Sequence, residues 1–145
     1  MKTHWVKLAG LLAVENHILF AVCRNPQTCV VMDADDGKII TTLPIGRGSD
    51  GGGFNAARME AFSSQGDGIL TIIKESSPTT FEVAQTVSTE SRAKTCALDT
   101  KTNHILLITT EPAPAAAASA EQPGNGQRGG RGGGPAFLDI MVVGR

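Results

Sequence analysis

The sequence predicts an all-β fold, and three observations carry that expectation. The apolar segments are short and rich in strand formers, as in Ile18-Leu19-Phe20-Ala21-Val22 and Leu70-Thr71-Ile72-Ile73. Turn signals such as Asp35-Asp36-Gly37 and Gly66-Asp67-Gly68 separate them at a spacing of roughly 8–12 residues. No segment keeps a helical apolar period for long. The alanine run 115–118 tolerates a helix but lies between Pro112, Pro114 and Pro123.

Taken in order, the first strand is 11–14, ending near a polar turn. The second is 18–22, the third 29–32 and the fourth 39–45 after the Asp-Gly turn. A short strand, 53–55, opens a second series that continues through 58–64, 70–73 and 81–87. A third series holds 96–99, 104–110 and the terminal apolar stretch 137–143. The chain therefore compares with itself. HILFAVC (17–23) aligns with RMEAFSS (58–64) and HILLITT (104–110), placing Phe20, Phe62 and Leu107 in one column. The steps are 42 and 45 residues. About four strands in some 40–45 residues is the arithmetic of a β-propeller blade, a four-stranded antiparallel meander. Blades bury both faces, which explains central strands that are nearly all apolar. The competing architecture is a β-sandwich. The expected units are 8–46, 47–90 and 91–145, one partial propeller domain of about three blades.

The segments HILFAVCRN, 30–46, 61–87 and 93–109 resemble the YncE-like, YVTN-type β-propeller repeat proteins of bacteria. Asp33 to Lys38 is similar to that family's Asp-Gly-Lys hairpin, 65–68 to its Gly-Asp-Gly turn, and 98–102 to its Leu-Asp-Pro-x-Thr turn, with Thr100 in the proline's place. The resemblance covers about 8–112 and 136–144. It implies a seven-bladed, often exported protein, periplasmic or secreted at full length. Relatives include lactonase-like and DNA-binding proteins. Three blades do not close a ring, so the chain is expected to be a fragment or a truncated gene product. Its partners are then the missing blades or further copies, met through open edges.

Composition narrows the function classes. The formal net charge is −1, with 41% hydrophobic and 19% charged residues. Such balance gives no global pull toward nucleic acid or anionic lipid. Aromatics are 4%, which disfavours a stacking platform for single strands. No run of about 18 apolar residues is present. Lys7 interrupts the apolar start, so no export signal is read in 1–12. Residues 111–135 hold four prolines, the alanine run and a glycine-rich tail, and are read as a long surface loop. Two Arg-Gly-Gly repeats there are a weak RNA signal. The three cysteines are read as small buried thiols, with a Cys23–Cys29 hairpin disulfide as the alternative.

No catalytic constellation emerges. There is no G-x-S-x-G elbow, and Ser63, Ser64, Ser76 and Ser77 have no nearby histidine. Asp33, Asp35 and Asp36 read as turn residues rather than a calcium loop. His4, His17 and His104 are not spaced as metal ligands. No cofactor is expected. The glycine cluster 46–53 lacks the P-loop pattern and reads as a connection between blades. Arg47, Asp50, Arg92 and Lys94 flank such connections at equivalent positions and are the candidate ligand-binding residues. The expected function is a non-catalytic binding scaffold. The alternatives are a lactonase-like hydrolase with a channel metal and a single-stranded nucleic-acid binder.

Overall fold

A computed structural model describes residues 8–13, 16–112 and 136–144. Among the described residues the regular structure is all β-strand. Sheet 1 is β1 (Leu8–Ala13), β2 (Ile18–Cys23), β3 (Thr28–Asp33) and β4 (Ile39–Pro44). Sheet 2 is β5 (Ser49–Asn55), β6 (Glu60–Gln65), β7 (Ile69–Ser77) and β8 (Thr80–Ser88). Sheet 3 is β9 (Lys94–Asp99), β10 (His104–Pro112) and β11 (Ala136–Val143). Within each sheet every strand pairs antiparallel with the next in sequence, so all three sheets are meanders.

Local chemistry sets the turns. The aspartates after β3 bind their own backbone. Asp33 Oδ1 accepts the Asp35 amide at 2.8 Å, and Asp36 Oδ1 accepts that of Lys38 at 2.8 Å. Gly37 supplies the positive φ of 71° that the hairpin needs. Asp99 does the same before β10, accepting from the Lys101 amide at 3.0 Å and the Thr102 hydroxyl at 2.6 Å. Those bonds hold its carboxyl below the usual range.

The three sheets share one detail that the sequence alignment misplaces. The residue before each second strand is left-handed: His17 (φ 56°), Met59 (φ 52°) and Asn103 (φ 59°). These define steps of 42 and 44 residues. Strand pairing agrees, since Phe20, Phe62 and Leu106 face Leu11, Gly53 and Ala97. The column is therefore Phe20, Phe62 and Leu106, not Leu107. Side chains alternate along a strand, so a one-residue slip changes the face. Leu107 looks back into the core between sheets 2 and 3, where it is buried beside Phe62.

Two apolar layers stack the sheets. Ile18, Phe20, Val22, Cys29 and Val31 of sheet 1 meet Ala61, Ile73 and Phe81 of sheet 2. Phe20 stacks on Phe54 at 5.8 Å and meets Phe81 edge-on at 5.7 Å. The second layer joins Phe62, Leu70 and Ile72 to Ile105 and Leu107. Sheet 2 is thus covered on both faces, and every residue of β6 is buried.

The packing is closest at the first strands. β5 lies against both β1 and β9, whereas β4 and β8 meet sparsely. A groove of about 280 Å³ opens between Pro44–Gly46 and the Ile69, Val83 and Thr86 side. Glycine makes the inner approach possible. A Cβ on Gly51 would sit 3.3 Å from the Cys96 amide, and one on Gly53 would sit 2.5 Å from the Phe62 ring. The sequence reading of 46–53 as a connection is corrected here, because residues from Ser49 onward form β5. Likewise Glu111 and Pro112 end β10, paired with Phe137 and Ala136, rather than opening the loop. The remaining loop, 113–135, and the N-terminal segment 1–7 with Val14 lie outside the described residues.

Candidate functional site

The four candidate residues lie around the β6–β7 turn, Gly66 to Gly68, and the connections on either side of it. Arg47 sits in the β4–β5 connection and donates its amide to Asp67 Oδ2 at 2.7 Å. The Gly66 amide donates to Gly48 O at 3.1 Å, and the Arg92 amide to Gly66 O at 3.2 Å. Gly68 (φ 84°) completes the clasp, its amide bonding Gln65 O while its carbonyl accepts from Thr89. The turn of sheet 2 is thereby held between the two inter-sheet connections.

Asp50 joins all three sheets. It is the bulged residue of β5, since pairing passes from Ser49↔Gln65 to Gly51↔Ser64. Its carboxylate accepts from Arg24 Nη2 of sheet 1 at 3.4 Å and from the Thr95 amide of sheet 3 at 3.2 Å. Arg24 also donates through Nε to Ser49 O at 2.6 Å. Half-exposed ion pairs of this kind contribute only about 0–1 kcal/mol, so the contact orients more than it stabilises. Arg24 and Asp67 were not singled out by sequence reasoning. The Gly-Asp-Gly signal around Asp67 predicted a turn, not the neighbour it binds.

Arg92 and Lys94 line an open cleft of about 450 Å³, together with Thr95, Ile108, Thr109 and Thr110. Arg47 and Asp50 are not among its walls. The expected equivalence also shifts. With the 44-residue step, Arg92 corresponds to Gly48 and Lys94 to Asp50, while Arg47 corresponds to Ser91. Gly48 and Arg92 confirm the match by sharing a left-handed backbone, φ 75° and 68°. Thr95 is left-handed too, at φ 52°, where β9 bulges between Leu107↔Cys96 and Ile108↔Lys94.

Other polar groups are committed elsewhere. Glu75 is buried, and its Oε1 accepts from Asn16 Nδ2 at 2.8 Å. Its Oε2 has no hydrogen-bond partner among the described residues, and burial pushes its carboxyl up. Gln65 is fully buried, accepting the Thr71 hydroxyl at 3.0 Å. The Ser63 and Ser64 hydroxyls both bond Gly51 O. The His17 ring meets Asp35 at 2.8 Å on the surface, which raises its pKa. No group of three or more metal-ligating side chains occurs among the described residues.

The cysteines are free thiols. Cys23 pairs with Thr28 and Cys29 with Val22 across the same hairpin. The two pairs are adjacent in the ladder, and one step along it flips the face, so the two thiols point to opposite sides of sheet 1. Cys29 packs toward sheet 2 and Cys23 away from it. That geometry rules out the alternative disulfide. Burial pushes the Cys29 thiol up to about 12, which makes it inert as a nucleophile at neutral pH. No protein-family model matches the chain, and no curated protein matches it.

Proposed function

We propose that the three sheets are blades of a β-propeller and that the chain acts as a non-catalytic binding scaffold. The observation that supports this most is the fan-like packing, in which first strands lie together while fourth strands diverge. Repeated left-handed residues before β2, β6 and β10 support one unit used three times. A propeller also accounts for the open side of sheet 3. There Ile108, Leu138, Ile140 and Val142 point away from sheet 2, and Leu138 is 66% exposed. A following blade would cover that face. The YncE-like resemblance of the turns favours the same reading.

Light scattering on a size-exclusion column tests it. The expected result is concentration-dependent association that Leu138→Glu with Ile140→Glu abolishes without unfolding the chain. A stable monomer at high concentration, with sheet 3 amides as protected from exchange as those of sheet 2, overturns the reading.

A further inference from the structure

We propose that the cleft at the start of β9 binds a small ligand through an oxyanion group, carboxylate or phosphate, held by Arg92 and Lys94. The inference deepens the binding-scaffold reading and rests on it. Its first support is a comparison of equivalent positions. In sheet 2 the pairing of β5 with β6 continues past Ser49↔Gln65, because the Gly66 amide reaches Gly48 O. In sheet 3 the corresponding ladder ends at Lys94↔Ile108, although β10 runs on to Pro112. The two strands part, and the cleft lies between Arg92 and Thr110. The same place is closed in one sheet and open in the next.

Arg92 gives the second support. It holds a left-handed backbone where its counterpart is glycine. A long side chain at such a position is strained, and strain retained at a cleft points to use. Arg92 and Lys94 replace a glycine and an aspartate, so the sheet 3 position is more positive by three charges. Among the described residues the lining contains no carboxylate. The adjacent Asp50 is engaged by Arg24 and the Thr95 amide.

The chemistry of the walls fits an oxyanion with an organic body. A guanidinium presents two parallel donors to a carboxylate or phosphate, and the ammonium adds a point charge. Thr95, Thr109 and Thr110 add hydroxyl-bearing walls, and Ile108 an apolar one. The volume falls in the range of small-molecule sites, about 300–1,000 Å³.

Amide chemical shifts of the intact chain test this, titrated at constant ionic strength with inorganic phosphate, citrate and neutral glycerol. Saturable shifts clustered at 92–95 and 108–110 are expected with phosphate or citrate and not with glycerol. The stronger of the two identifies the headgroup. Arg92→Ala with Lys94→Ala should weaken binding at least about tenfold, the loss of one charge-assisted hydrogen bond or more. Arg47→Ala should leave it within about twofold, since Arg47 lies outside the cleft. Absence of saturable shifts, or shifts that survive the double replacement, overturns the proposal. So does a single-stranded oligonucleotide that binds the same residues with a steep salt dependence while phosphate and citrate do not. Ile108 also belongs to the open face of sheet 3, so the titrations are made on the Leu138→Glu, Ile140→Glu chain, in which association no longer covers the cleft. Association state, which judges the propeller reading, is measured separately on the parent chain.

Discussion

Phe62 of sheet 2 and Leu106 of sheet 3 hold the same place in their sheets, but not the same surroundings. Phe62 is 2% exposed, its ring against Gly53 and the side chains of sheet 3. Around Leu106, Ile108 on the same strand and Ile140 and Val142 on β11 are 41–57% exposed. Strand order and turn chemistry are therefore repeated, while burial is not. Burial depends on what lies across the face, which one sheet's own sequence does not supply. Sheet 2 shows what the pattern does when both faces are covered. Sheet 3 shows the same pattern with one face uncovered.

The sharpest way to break that comparison is to truncate one apolar side chain in each setting. Phe62→Ala should lower stability by about 3–5 kcal/mol, through lost burial and a cavity beside Gly53. At a concentration where the chain is monomeric, Ile140→Ala should change it by less than about 0.5 kcal/mol, because its side chain already meets solvent. Urea unfolding followed by circular dichroism measures both. An Ile140→Ala loss comparable to that of Phe62→Ala would show that the outer face of sheet 3 is covered in solution.

Coverage has a polar consequence that sharpens the comparison at an intermediate scale. Glu75 is trapped between sheets 1 and 2 with one oxygen bonded to Asn16. Burial, the dominant cause, raises its pKa. The folded chain then keeps this proton to higher pH than the unfolded chain does. Stability contributed by the protonated form is lost as pH rises from the ordinary glutamate range through the raised value. Glu75→Gln removes that slope. The variant should match the parent near pH 4 and melt at higher temperature near pH 8. Melting curves that stay parallel across that interval would mean that Glu75 is solvated rather than sealed.

The sequence made the turns and strand order legible because both are local. Asp33-x-Asp35-Asp36-Gly37 and Leu98-Asp99-Thr100-Lys101-Thr102 carry their hydrogen-bonding partners within a few residues. Strand register was less legible. The column Phe20, Phe62, Leu107 matched residue types but missed by one place, because His17 corresponds to Asn103 and not to His104. Backbone handedness carried the true repeat; His17 and Asn103 are residue types that favour it only weakly and Met59 not at all, where glycine would announce it. The site was legible only in part. Arg92 and Lys94 come together at the cleft, but Asp50 acts as a tie between sheets and Arg47 lies apart. Those assignments depend on the Arg24 and Asp67 contacts, 26 and 20 residues distant in the chain.

The smallest effect separates structural from functional reasons for the open cleft. A left-handed backbone costs an L-residue about 1–2 kcal/mol relative to glycine. Glycine returns about 0.5–1 kcal/mol of that through the greater freedom of the unfolded chain. Arg92→Gly should therefore leave stability unchanged or raise it by up to about 1.5 kcal/mol, giving sheet 3 the residue that Gly48 already supplies in sheet 2. Gly48→Ala should move the other way, by about 1 kcal/mol, since φ 75° penalises any Cβ. Chemical unfolding resolves the two signs. A clear loss of stability in Arg92→Gly would mean that the guanidinium holds the connection together and that the strain is structural. A gain accompanied by weaker phosphate or citrate binding would place the strained arginine where stability is given up for a ligand contact.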